Sequence, residues 1–537
     1  MKCVIRKFLS LMIICSMTFV SLGIAAFAGP VNAASKPVLS KKTVSVKKGH
    51  STTIKLKNAR KKVVWKSSNS KIVKVVKKKG KYRNTVTIKG LKKGKATITA
   101  KLGKKSYKCK VTVTYTKPKP ESEIEIRDMS TLSKNLTAEL TPADPGESTQ
   151  NSDITLSAAD FSFLLMKHAI AADREAGRQT NVLLSPDSVL TAMAMTENGA
   201  SGSTLTEMEN TLAKGFTAQE VNLWLSGLNR RLESSDQYIY NVSNSIWARE
   251  GMVDVRKDFL QKNLDLHRAE FWTSPFSSET VSDINAWVYN HTRNMIDNII
   301  SELSEDARMV LVNTVAFEGQ WSEPFNSKAV SDGEFTNADG TKKTVKMLHD
   351  CEYYRYFEPD KGKKGKAFVK YYGTNNAKSQ GSSIAFVGML PPEGMSADEY
   401  LSSLDGKSFV AAFKNSKSAK VSLTLPKFKD DYDIALEEIL QDMGIVTAFT
   451  DDADFSAMHD PTPETPALCI DKVLHKTHIE LDENGTKAAA ATAVIMEKAG
   501  SSPDETIQEL RFDRPFAYAI VDVDSGMPLF IGEINNL

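Results

Sequence analysis

From residue 43 to residue 113 apolar and polar residues alternate in seven short runs, at 43–46, 52–56, 63–65, 72–75, 85–88, 96–100 and 107–113. A period of two lays one side chain in two on the same face of an extended chain, so each run predicts a half-buried strand. Lys48-Gly49, Ser68-Asn69, Gly80, Lys93-Gly94 and Gly103 separate the runs, and glycine and asparagine turn a chain where other residues strain. Seven short strands with lysines on the wet side predict a small all-β sandwich. Trp65 falls on the apolar side, and Cys109 shares that side with Val111 and Val113. From Ile154 the period lengthens, with Phe161, Leu164, Leu165 and His168 at helical spacing. Helical stretches then mix with apolar runs such as 384–390 and 421–425. The carboxyl-terminal part therefore predicts an α+β domain.

One late segment fits neither pattern. Residues 480–494 read ELDENGTKAAAATAV, acids and a glycine followed by small residues. Thr486, Thr492 and Val494 make it a poor helix. Read with period two, one face carries Thr486, Ala488, Ala490, Thr492, Val494 and Met496, with no charge, proline or glycine. The opposite face runs from Lys487 to Glu497, with charges only at its ends. Such a strand is small enough to slide between two others; by composition alone it also reads as an alanine-rich flexible linker.

Charge divides the chain. The whole carries 70 Lys and Arg against 65 Asp and Glu, a net +5, yet residues 36–120 hold 29 basic residues and no acid. From residue 121 the balance is −27. The basic part points to an anionic polymer as partner, wall teichoic acid or an acidic polysaccharide, with a merely solvated basic surface as the alternative. No nucleic-acid motif accompanies it. At the front, Lys2, Arg6 and Lys7 precede an apolar run over 8–28, and Val31-Asn-Ala33 offers a cleavage site. This predicts a secretory signal over 1–33, with an uncleaved membrane anchor as the alternative, and a secreted or wall-associated protein. Cys3 and Cys15 leave with the signal. Cys109, Cys351 and Cys469 are too scattered for a disulfide framework and are expected as packed, unpaired thiols. A linker over 116–152 is marked by 117–120 and by the proline-rich, acidic stretch 141–149.

No G-x-S-x-G, H-E-x-x-H or G-x-x-x-x-G-K-[ST] is present, so no enzyme is expected. His475 and His478 stand three apart, on opposite faces of a strand, and Asp451-Asp-Ala-Asp454 lacks calcium-loop spacing. Neither metal nor cofactor is expected.

Five blocks occur in order: 181–188 (NVLLSPDS), 198–204 (NGASGST), 311–325 (LVNTVAFEGQWSEPF), 511–522 (RFDRPFAYAIVD) and 528–534 (PLFIGEI). With the segment at 480–494, they resemble the serpin superfamily from about residue 152 to the end. Trp65-Lys-Ser-Ser-Asn69 and the block 90–98 resemble bacterial immunoglobulin-like domains of the second group. The resemblances imply an immunoglobulin-like sandwich over 36–115 and a serpin domain over 153–537, with three sheets, about nine helices and a reactive loop near 485–513.

What the serpin resemblance implies is a suicide inhibitor of serine proteases, monomeric, whose cleaved loop enters the central sheet. The alternatives are a non-inhibitory serpin-fold binding protein, or a wall adhesin acting through its basic domain. By the same resemblance, Ser185, Ser188, Asn313 and His475 lie under the sheet's centre, and Gly319 and Trp321 at its top. Glu483, Asn484, Gly485 and Thr486 form the hinge that leads into Ala488, Ala490 and Thr492. Asn484 and Lys487 depart from the commonest hinge pattern. Counting from Gly485 puts the scissile bond at Ala499–Gly500, with Lys498–Ala499 as the other reading. Ala499 favours elastase-like or subtilisin-like targets; Lys498 would suit trypsin-like ones.

Overall fold

The computed structural model describes residues 36–47, 51–79, 81–90, 92, 94–114, 125–146, 151–233, 238–359, 362, 364–373, 384–460, 462, 468–486 and 506–537. The chain divides into two compact units, Met1–Pro118 and Lys119–Leu537.

In the first unit the alternating runs form strands. These are β1 (Val38–Leu39), β2 (Thr43–Lys47), β3 (Ser51–Lys57), β4 (Val64–Ser67), β5 (Val73–Lys79), β6 (Thr85–Gly90), β7 (Gly94–Leu102) and β8 (Lys105–Thr114). They make two four-stranded sheets, β1-β3-β6-β5 and β2-β8-β7-β4. Ile54, Leu56, Val86, Ile88, Ile98, Cys109 and Val111 fill the space between them. Trp65 is buried with them, and its indole N–H donates to the carbonyl of Arg83 at 2.8 Å, so its one polar atom is satisfied.

The second unit holds nine helices among its described residues. They are α1 (Ser152–Glu175), α2 (Pro186–Glu197), α3 (Gly202–Leu212), α4 (Ala218–Leu232), α5 (Lys257–His267), α6 (Ser278–His291), α7 (Ala397–Ser402), α8 (Gly406–Lys414) and α9 (Glu437–Asp442). In α1 the buried stripe includes Phe161, Leu165, Met166 and Ala169, while Leu164, expected inside, is exposed. Helix α2 is buried along its whole length.

A seven-stranded central sheet uses β9 (Lys134–Asn135), β11 (Tyr238–Arg249), β12 (Glu270–Ser274), β13 (Met309–Gln320), β19 (Phe428–Ala435), β20 (Lys472–Leu481) and β21 (Gly485–Thr486), in the spatial order β19-β20-β21-β13-β11-β12-β9. The other strands are β10 (Leu183–Leu184), β14 (Ser331–Thr336), β15 (Lys342–Phe357), β16 (Lys366–Tyr371), β17 (Ile384–Leu390), β18 (Lys417–Pro426), β22 (Gln508–Arg511), β23 (Phe516–Asp522) and β24 (Pro528–Ile534). These nine form one network, because the 16-residue strand β15 runs through both the second and the third of the expected sheets and joins them.

Three expectations are corrected here. Residues 125–146, assigned to the linker, are folded onto the second unit. Lys134 and Asn135 pair with Thr273 and Trp272 at the sheet's edge, and the carboxylate of Asp283 on α6 accepts bonds from the Ser130 backbone N–H and the Ser130 and Ser133 hydroxyls. Their polar, proline-bearing composition resembles a linker because the partners lie far away in sequence. Cys109 is buried and Cys469 is half-buried against the core, so of the three free thiols Cys351, exposed on β15, is the one that departs from the expectation. The loop near 485–513 is shorter than expected at both ends, since Gly485 and Thr486 already lie in the central sheet and Gln508–Arg511 pairs with β18.

Candidate functional site

The middle of the central sheet rests on α2. Pro186 starts that helix, fixing φ where a backbone N–H would have no helical partner. The preceding Ser185 thereby points its backbone N–H at the sheet, donating to Nε2 of His475 on β20 at 3.0 Å. Its hydroxyl donates to the carbonyl of Leu529 at 2.8 Å. With Nε2 accepting, the imidazole proton sits on Nδ1, 3.2 Å from Oδ1 of Asn313 on β13. The Ser188 hydroxyl donates to that same oxygen. The Asn313 amide donates to the Ser188 carbonyl at 2.7 Å and to Oδ1 of Asn244 on β11 at 2.6 Å. Burial pushes the His475 imidazole down to about 3, so it is neutral throughout the physiological range. Ser185, Ser188, Asn313 and His475 thus meet in one buried network bridging β11, β13 and β20. His478 faces away, its Nδ1 2.6 Å from Asp431.

β13 and β20 run parallel and pair from Val310 with Lys472 to Thr314 with Lys476. Above that point their mutual pairing ends, and β21 enters between them, antiparallel to both. Thr486 sits opposite Gly319 and Leu481, and Gly485 opposite Gln320. Gly485 is required for this approach, because a Cβ there would lie 2.0 Å from the carbonyl oxygen of Gly319. Gly319 has no room either: a Cβ would reach 2.7 Å from the Tyr372 ring. Thr486 is only 1% exposed and its hydroxyl lies 2.6 Å from that of Tyr372.

The turn before β21 is held from several sides. The Asp482 carboxylate accepts from the backbone N–H of Asn484 at 2.7 Å and of Gly485 at 3.3 Å. The Trp321 indole donates to the Asp482 carbonyl at 3.0 Å, and its backbone N–H to Asn484 at 2.9 Å. Glu483 pairs with Lys427. Trp321 stacks on Tyr372 with ring centroids 4.5 Å apart. Beneath them Lys370 is buried, its ammonium 4.2 Å from the Phe325 ring centre and 3.7 Å from Asp350; burial pulls its pKa down to about 8.

Glu483, Gly485, Thr486, Gly319 and Trp321 therefore come together at the top of the sheet. Ala488, Ala490, Thr492, Lys498, Ala499 and Gly500 lie outside the described residues. Asn244, Tyr372, Lys427 and Lys370 were missed by sequence reasoning. Asn244 and Lys370 belong to strands β11 and β16, Tyr372 follows β16 and Lys427 joins β18 to β19; their local sequence explains each without a site, and only the pairing of the strands brings them close. Tyr372 had one available signal, a large aromatic flanked by Tyr371 and Gly373 at the end of an apolar run.

Among described residues no group of three or more His, Cys, Asp and Glu is arranged to hold a metal ion. The arrangement is a slot for a strand with its first residue seated, and a polar network spanning the strands below.

A family model described as Serpin (serine protease inhibitor) matches residues 156–537, and one described as Bacterial Ig-like domain (group 2) matches residues 36–113. An uncharacterized serpin-like protein of Thermococcus kodakarensis is 30% identical over 366 residues, covering 67% of this chain and 82% of its own. Neuroserpin of Gallus gallus is 30% identical over 370 residues, covering 67% and 87%. Among solved structures, that of tengpin, a thermophilic serpin, in the native state superposes with a TM-score of 0.69 at 34% identity, covering 75% of this chain and all of that one.

Proposed function

This chain belongs to the serpin family, and we propose that it is an exported suicide inhibitor of serine proteases. The observation that carries the reading is the seating of Thr486 in the slot between β13 and β20. Continued in the same register, Ala488 would lie between Phe317 and Ile479, and Ala490 between Val315 and Thr477. Thr492 would then lie between Asn313 and His475, where its hydroxyl can take over hydrogen bonds that now join β13 to β20 directly. The side chains due to enter are small and uncharged, so they can enter without overpacking or stranding a charge.

A protease that attacks the loop becomes an acyl-enzyme. Cleavage frees the hinge, and about 14 residues entering at ~3.3 Å each make a strand of roughly 46 Å. The attached protease is carried that distance, and distortion of its oxyanion hole slows deacylation by orders of magnitude. The bond at Ala499–Gly500 favours elastase-like or subtilisin-like enzymes. The basic segment and apolar run over 1–33 would direct the chain out of the cell.

The test is incubation with such proteases followed by denaturing electrophoresis. A covalent complex at near-equimolar ratio is expected. Complete cleavage of the loop with the protease left active would overturn the reading in favour of a non-inhibitory serpin.

A further inference from the structure

The first unit has no carboxylate of its own over residues 36–118 to neutralise its lysines, and its two sheets present them differently. On the outer face of β2-β8-β7-β4 each lysine is flanked across the strands mainly by hydroxyls. Lys110 lies between Thr43 and Thr97, Lys95 beside Thr112, and Lys66 and Lys108 on either side of Thr99. With strands ~4.8 Å apart and alternate residues ~6.8 Å apart, Lys108 and Lys110 stand ~7 Å apart along one strand. Lys95 stands ~8 Å from Lys110 on the diagonal. The hydroxyl side chains are shorter than the lysines, which leaves a shallow depression of about 630 Å³ lined by Lys95, Lys110, Thr43, Ser45, Thr97 and Thr112. On β1-β3-β6-β5, by contrast, Lys74 lies directly opposite Lys89, an arrangement that repels.

We propose that the outer face of β2-β8-β7-β4 binds a linear phosphodiester polymer with a flexible polyol backbone. Lysine positions spaced at roughly 7–8 Å along and across the strands match a chain with regularly repeated charge. The hydroxyls between them donate to phosphate oxygens and accept from polyol hydroxyls. Trp65 is buried and Tyr107 packs against the core, so the aromatic side chains of these strands offer no platform for stacking bases or sugar rings. Val64, 45% exposed, is the large apolar side chain that this face turns outward, too little to enter a membrane. The binding is independent of protease inhibition.

The test uses the full chain and synthetic poly(glycerol phosphate). Binding is measured by calorimetry at low and at moderate salt. Wild-type affinity should fall more than about tenfold between the two, as an electrostatic contact requires. Lys95→Gln with Lys110→Gln should weaken low-salt binding about tenfold or more. Lys74→Gln with Lys89→Gln removes the same charge from the other sheet and should cost less than about threefold. All four side chains lie on outer faces, so folding is kept and is checked by circular dichroism. Polygalacturonate, a single-stranded oligonucleotide and phosphatidylglycerol vesicles should each bind at least about tenfold more weakly. Equal losses in the two double variants would overturn the proposal in favour of diffuse charge. So would tighter binding of any comparator, or no binding at low salt.

Discussion

In the proposed mechanism Thr486 is the residue on which insertion turns. It is buried, bonded to Tyr372, and first in the line of small side chains. Thr486→Arg puts a long cation where the slot is closed by Gly319 and Tyr372, and a buried unpaired charge costs several kcal/mol. The expected outcome is a substrate: covalent complex falls at least about tenfold while loop cleavage continues, read by densitometry of the two products. His475 gives a second prediction. Its folded pKa of about 3 lies below the ~6.5 of an unfolded histidine. Between these values the unfolded chain binds a proton that the folded chain does not. The group's contribution is therefore complete above ~6.5 and is lost on acidification at ~1.4 kcal/mol per pH unit. His475→Asn removes that dependence. The stability gap between wild type and variant should narrow by about 2 kcal/mol from pH 7 to pH 5, measured as urea midpoints at both; a constant gap would show that the ring is not held neutral. At this scale the site was half legible. Ser185, Ser188, Asn313 and His475 were reached through the serpin resemblance of the blocks around them, not through any local pattern of their own. Tyr372 and Asn244 were not reached, since a tyrosine in an apolar run and an asparagine in an alternating strand need no site to explain them.

Among the elements, the alternating runs of the basic unit were read as strands because period two is a local property, and all seven runs appear as β2 to β8. The segment 125–146 was misread because its structure is not local. Arg127 bonds with Asn290 and Asp297, Ser130 and Ser133 with Asp283, and Lys134 with Glu250, and no periodicity announces such partners. Asp283 is the principal anchor, 2% exposed on α6 and accepting from three donors of this strap. Asp283→Ala removes the acceptor of the Ser130 backbone N–H and hydroxyl and leaves the Ser133 hydroxyl with Ser274 alone, 3.1 Å away. The expected cost is about 2–4 kcal/mol, seen as a lower unfolding midpoint together with faster tryptic cleavage after Arg127 and Lys134. Unchanged cleavage would mean that β9 and Arg127 hold the strap without it.

For the whole molecule, β13 and β20 are joined by hydrogen bonds over five residue pairs only, with a two-residue strand above them. On the proposed mechanism a full-length strand between them adds two ladders, which would make the native arrangement the less stable form, persisting kinetically. Cleavage within residues 495–500 should therefore raise the apparent melting temperature by at least about 10 °C, measured before and after nicking; no rise would mean that the freed strand stays out. The bond itself decides the target. With Thr486 as the first seated residue, cleavage after Ala499 makes the entering strand 14 residues long, and cleavage after Lys498 makes it one shorter. One residue is ~3.3 Å of strand, enough to alter where the attached protease comes to rest and so how far its oxyanion hole is distorted. A shallow apolar pocket accepts Ala499 and excludes lysine, which favours elastase-like enzymes, and Met496 four residues before the bond suits subtilisin-like ones. Trypsin-like enzymes are expected to cut after Lys498 and be trapped poorly. Mass spectrometry of the peptide released from the covalent complex should find a new amino terminus at Gly500. A terminus at Ala499, with faster inhibition of trypsin than of elastase, would shift the register by one residue and assign the opposite class of target.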